Sequence, residues 1–107
     1  MDFKRVKIVV FTPLSHCDQV REVLSKAGAG HIGNYDSCSF SSKGTGRFQP
    51  LKGSNPYLGS EGKMEEVEEE RIEVICPSGL LKEVLWALRK AHPYEHPAID
   101  IYPLLND

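Results

Sequence analysis

No stretch of this chain could cross a membrane. Its clearest uninterrupted apolar run, "IVVF" from Ile8 to Phe11, falls far short of the roughly 20 residues a helical span needs. The same run is too short for the apolar segment of a secretory leader. Cysteine is scarce, with three residues (Cys17, Cys38, Cys76) at wide spacing and no CxxC pair, which excludes a disulfide framework and points to reduced, buried thiols. Positive charge is not concentrated anywhere. The net charge is -2, lysines and arginines are scattered, and the dense charge run is acidic, "EEVEEER" from Glu65 to Arg71. That balance gives no long-range attraction for nucleic acid. These absences describe a cytoplasmic chain without a membrane or nucleic-acid partner. At 107 residues it has the size of one domain, residues 1–107, able to bury a core without metal or disulfide staples.

What is present is a change of period along the chain. From Lys4 to Phe11, Val6, Ile8 and Val10 alternate with Arg5, Lys7 and Val9, the pattern of a strand. From Ser15 to Ala27, the apolar residues Cys17, Val20, Val23, Leu24 and Ala27 fall on one helical stripe. Ser15 with Asp18 resembles a capping box, and Gly28 stands where a left-handed residue ends a helix. Glu66 to Cys76 reads as a strand with a solvated acidic start and Ile72, Val74 and Cys76 toward the core. Ser78 can cap a second helix with the stripe Leu81, Val84, Leu85 and Leu88, which Pro93 ends. Ala98 to Tyr102 alternates again, and Pro103 marks that strand as an edge.

Between the first helix and the acidic strand lies "GAGHIGNYDSCSFSSKGTGRFQPLKGSNPYLGSEGK", which holds eight of the nine glycines. Cys38 and Phe40 alternate with Ser37, Ser39 and Ser41, and Cys38 is expected to point inward. Lys43 to Gly46 reads as a turn. Tyr35, Phe40, Phe48 and Tyr57 interleave with the glycines, and disordered linkers are poor in aromatics. An ordered loop of this length is usually functional or a subunit contact. The order is βαββαβ, an α+β, ferredoxin-like antiparallel sheet with two helices on one face and a long decorated hairpin between the second and third strands. The equal-length segments "KAGAGHIGNYD" and "KAHPYEHPAID" open and close alike, which supports two β-α-β halves.

Familiar motifs fail on context. "GAGHIG" matches GxGxxG, but it follows a helix C-terminus, where carbonyls repel phosphate. "GSEGK" lacks the first P-loop glycine and has Met64 in place of Ser or Thr. In "HPYEH", Pro93 and Pro97 forbid the helix on which His92 and His96 would form a zinc-protease face. His92, Glu95 and His96 can still project from a stiff turn toward a metal. In this topology His31 and Glu95 lie at opposite ends of the sheet, so a site using both turns forms between subunits.

The strings "GAGHIGNYDSCSFSSKGTGRFQPLKGSNPYLG", "KMEEVEEERIEV" and "AHPYEHPAIDIYPL" together resemble the inserted central domain of the dinuclear-metal proteins known as type 2 GTP cyclohydrolase I homologues. That domain is similar to the PII signalling protein and the CutA divalent-cation tolerance protein. The resemblance implies a homo-oligomer, trimeric rather than dimeric, with sites between subunits. The metal-binding halves that flank the domain in that family have no counterpart here, so their dimetal site and any hydrolase or cyclohydrolase activity do not transfer. Where the family's turn reads HPYEEP, His96 replaces the second glutamate, which favours zinc or copper if a divalent metal binds. The expected function is a non-enzymatic binding or regulatory module. Gly30, His31, Gly33 and Tyr35 stand at one turn, and His92, Tyr94, Glu95 and His96 at the other. His31, His92, Glu95 and His96 are candidate metal ligands or polar contacts for a small ligand, and Tyr35 and Tyr94 are ring walls. The alternatives are a structural oligomerisation or partner-docking domain, and a hydrolase-type enzyme using His31 or Glu95 as acid–base.

Overall fold

The computed structural model describes residues 3–105. Six elements follow in the order β1 (Arg5–Pro13), α1 (Cys17–Lys26), β2 (Phe40–Phe48), β3 (Glu65–Pro77), α2 (Leu81–Ala91) and β4 (Ile99–Pro103). The strands form one antiparallel sheet ordered β2-β3-β1-β4, an α+β, ferredoxin-like arrangement. Strand β1 is central and pairs with β3 from Arg5–Pro77 to Pro13–Glu69, and with β4 from Val6–Pro103 to Val10–Ile99. Because side chains alternate across a strand, Val6, Ile8 and Val10 join Ile72, Val74 and Cys76 on the helix-covered face. Val20 and Leu24 of α1 and Val84 and Leu88 of α2 fill that core, each fully or almost fully buried. Burial of side chains this size contributes about 1.5–3 kcal/mol apiece. Arg21 ties α1 to the sheet by donating to Ser41 of β2 at 3.1 Å and Glu70 of β3 at 2.5 Å.

Helix α1 ends as its glycine suggests. Gly28 takes φ 110°, its N–H bonds the Ser25 carbonyl, and the Ala29 N–H reaches back to Leu24 at 3.0 Å. This crossed pair of bonds satisfies carbonyls the helix end leaves open. Pro93 likewise stops α2 at His92, which adopts extended angles.

The two serine caps are not formed. A 3-10 turn, Leu14–His16, precedes α1, and Ser15 Oγ lies 2.8 Å from His16 Nδ1 rather than on a helix amide. Ser78 opens another 3-10 turn and its hydroxyl donates to the Phe3 carbonyl, stitching the start of β1 to the end of β3. In both places the 3-10 turn moves the helix start past the serine. The Lys43–Gly46 segment is the middle of β2 and not a turn, paired with Glu70 to Val67 of β3. Cys38 lies before β2 and is half-buried instead of pointing into the core, while Phe40 is 67% exposed. The acidic start of β3 is not uniformly solvated either, since Glu69 is buried.

Candidate functional site

The second face of the sheet carries Lys7, Val9 and Phe11 of β1 and Glu69, Arg71 and Glu73 of β3. Among the described residues no helix covers it, yet Val9 is fully buried. Lys7 and Arg71 both pair with Glu73 at 3.3 Å, and the Arg71 guanidinium lies 5.6 Å from the Phe11 ring centre. At the Phe11 end of this face the connection between β2 and β3, residues 49–64, folds as an ordered arm. The Gly62 N–H bonds the Pro50 carbonyl at 2.8 Å, and Ser54 turns back on Leu51 through both its N–H and its hydroxyl.

The arm meets the turn after α2. The Asn55 N–H donates to Glu95 Oε1 at 3.0 Å. Tyr57 stands between His16, at 5.7 Å edge-on, and Tyr94, at 6.3 Å. Phe48, at the end of β2, lies 6.0 Å from Tyr94. A cavity of about 820 Å³ is left under this arch, with Phe11, Phe48, Tyr57 and Tyr94 among its walls. Its polar groups include Glu69, Arg71, Glu95 and His96. A largely apolar, half-open cavity of this size with a few polar groups in its wall is the usual form of a small-ligand site.

The deep polar element is Glu69, 7% exposed. Tyr94 Oη donates to Glu69 Oε2 at 2.8 Å. Burial, and after it the bond to this carboxylate, raise the Tyr94 pKa, so the phenol remains a donor and is not a nucleophile. The opposite wall explains the glycine in β2. A side chain at Gly46 would collide with the Glu69 carboxylate, so the strand passes close only because it has none.

His92 anchors the turn. It is 6% exposed, its Nδ1 accepts from the Tyr94 N–H at 3.2 Å, and its Nε2 stands 2.8 Å from the Phe11 carbonyl. An Nδ1 acceptor leaves the proton on Nε2, which donates to Phe11, so both ring nitrogens are occupied. Burial lowers its pKa and favours this neutral form. Glu95 and His96 are exposed beside it.

The other turn lies elsewhere. The Gly30 N–H bonds the Ile75 carbonyl at 2.7 Å and its carbonyl accepts from Cys38, which places this turn at the far end of β3. Ile75 pairs with Lys7, four positions along β1 from Phe11, or about 13 Å of strand. His31, Gly33 and Tyr35 are exposed there, Tyr35 at 74%. The fold therefore joins Tyr94, Glu95 and His96 at one cavity, holds His92 beneath them, and leaves Gly30, His31, Gly33 and Tyr35 at the opposite end. Among the described residues no three His, Cys, Asp or Glu side chains form a metal-binding group.

Glu69 and Arg71 are site residues that the sequence did not single out, and Phe48 and Tyr57 stood out there only as aromatics arguing for an ordered segment. One signal was available. With Ile72, Val74 and Cys76 facing the core, parity alone puts Glu69 and Arg71 together on the opposite face.

No family model matches the chain. The Halalkalibacterium halodurans GTP cyclohydrolase 1 type 2 homolog is 56% identical over 101 residues, which are 94% of this chain but 27% of that protein. The Bacillus subtilis protein of the same name is 48% identical over 98 residues, 92% of this chain and 26% of its own length. The crystal structure of a Bacillus cereus protein related to NIF3 superposes with a TM-score of 0.84 at 50% identity, covering 97% of this chain and 26% of that one. The periplasmic divalent cation tolerance protein CutA of Archaeoglobus fulgidus matches in fold, with a TM-score of 0.70 at 20% identity over 96% of this chain and 86% of its own. The chain is thus a homologue of a segment that makes up 26–27% of the GTP cyclohydrolase 1 type 2 homologues, and it carries the ferredoxin-like fold of CutA.

Proposed function

We propose that this chain is a non-enzymatic binding module, acting as an assembly of copies, whose ligand site is the cavity beneath the arm. The observation that carries this reading is the aromatic-walled cavity with buried Glu69, held by the half-buried Tyr94, as its floor. Such a pair holds its orientation before a ligand arrives, which lowers the ordering cost of binding. The acid–base alternative would rest on His31 or Glu95, which stand at opposite ends of the sheet, with Glu95 accepting from the Asn55 N–H. A trimer is the assembly that the PII and CutA resemblance implies. In that state a divalent metal of zinc or copper character would lie where copies meet, with Glu95 and His96 of one copy and His31 of another as donors. His92 would join only by giving up Phe11 or Tyr94.

A purely structural, partner-docking role is the second reading. The outer edge of β2 favours it, since among the described residues no strand pairs there and Phe40 is 67% exposed. Native mass spectrometry before and after chelation, with Tyr94→Ala and His96→Ala variants, separates these readings. A chelatable metal lost with His96→Ala supports the inter-copy metal. A metal-free assembly removes the inter-copy metal and leaves the cavity to be tested with small ligands. Loss of assembly in Tyr94→Ala, with no ligand bound by the parent chain, favours the structural role.

A further inference from the structure

Glu69 is a buried carboxylate that pairs with no cation among the described residues. Glu70 pairs with Arg21, Glu73 with Lys7 and Arg71, and Glu66 with Arg47, while the adjacent Glu68 is exposed. Among the described residues no ion pair reaches Glu69. Buried charges are ordinarily paired, because leaving water costs more than a single neutral hydrogen bond returns. The Tyr94 hydroxyl occupies Oε2, and Oε1 has no hydrogen-bond donor among the described residues. Oε1 lies against Gly46, where β2 has no side chain to fill the space. Both Gly46 and Glu69 belong to the cavity wall.

Building on the binding-module reading, we infer that the cavity takes an organic cation, an amine, amidine or guanidinium on a flat apolar body, whose charge pairs with Glu69. The rings of Phe48, Tyr57 and Tyr94 supply the rest of the site, since aromatic faces attract cations and flat bodies. The wall also carries positive charge: Arg71 shares Glu73 with Lys7, Arg47 meets Glu66 at the exposed surface and Lys43 is exposed, but none of the three pairs with Glu69. Glu69 therefore faces the apolar space, and among the described residues no cation pairs with it.

Three probes of one shape test this: benzamidine, cationic at neutral pH; benzamide, its neutral counterpart; and benzoate, an anion. Binding is followed by amide chemical shifts in the full chain and in Glu69→Gln, which keeps the side chain's size and can still accept from Tyr94. The expected result is a benzamidine preference over benzamide of roughly tenfold or more, the range of a charge-assisted bond, abolished in Glu69→Gln. Equal binding of benzamidine and benzamide by the parent chain overturns the inference and leaves the binding-module reading standing. A preference for benzoate overturns it as well and assigns selection to the arginines. If no probe binds and native mass spectrometry shows the assembly dissolving in Glu69→Gln, the partner of Glu69 is a second copy. If no probe binds and the assembly persists, the inference also falls, and fragments of other chemistry then test the binding-module reading separately.

Discussion

Replacing Gly46 by alanine puts a methyl group where the Glu69 carboxylate lies. The carboxylate is the far end of a flexible side chain and can swing aside, but doing so breaks its bond from Tyr94. A hydrogen bond to a charged, buried partner contributes about 1.5–3 kcal/mol. Alanine in a strand recovers about 0.5–1 kcal/mol over glycine. Gly46→Ala should therefore destabilise the fold by about 1–2 kcal/mol. Gly44, two residues away in the same strand, is the control, because a Cβ there meets nothing within 4 Å. Gly44→Ala should be neutral or slightly stabilising. For a domain of this size each kcal/mol moves Tm by about 4–8 °C, so melting curves separate the two variants clearly. In a double-mutant cycle, Glu69→Ala should remove most of the Gly46→Ala penalty. Equal stability of Gly44→Ala and Gly46→Ala would refute the claim that Glu69 is fixed over Gly46.

Gly30 has φ 81° and a Cβ there would lie 2.7 Å from the Cys38 carbonyl oxygen, which is backbone and cannot turn away; Gly30→Ala should cost about 2 kcal/mol or more by urea denaturation. His92 is neutral in the fold with its pKa lowered by burial, so below the ordinary value near 6.5 the unfolded chain takes up the proton more readily than the folded one. Stability should accordingly fall as the pH drops below about 6.5, and His92→Gln should flatten that part of the profile measured by urea denaturation. Glu95→Gln should weaken the bond from Asn55 and speed hydrogen exchange at that amide several-fold, with little change in global Tm.

The parts of this fold legible in sequence are those whose signal is local and periodic. The alternation of Val6, Ile8 and Val10 and the stripe of Val84 and Leu88 each follow from one face meeting one core, and the structure buries all five. Pro93 and Gly28 are equally local, acting through their own dihedral limits. The Lys43–Gly46 segment misleads because glycine marks both a turn and a place where another chain element comes close. Here Gly46 answers to Glu69, which is more than twenty residues away in sequence. The acidic run misleads for a related reason: a row of glutamates reads as solvated until one knows that Tyr94 and the bare backbone at Gly46 close on Glu69. Of the candidate site, the HPYEH turn was visible as chemistry. Its division of labour was not, since His92 faces inward to Phe11 while Glu95 faces the arm. The separation of His31 from Glu95 did follow from topology alone, because it depends only on strand order and direction.

The most direct test of the central claim is an amide chemical-shift map of the chain titrated with a small library of cationic, neutral and anionic aromatic fragments. The cavity reading predicts saturable shifts at Gly46, Asn55, Tyr57 and Tyr94, weakened in Tyr94→Ala. Shifts confined to the turn from Gly30 to Tyr35, or saturating fragment with no response at those four amides, would contradict it.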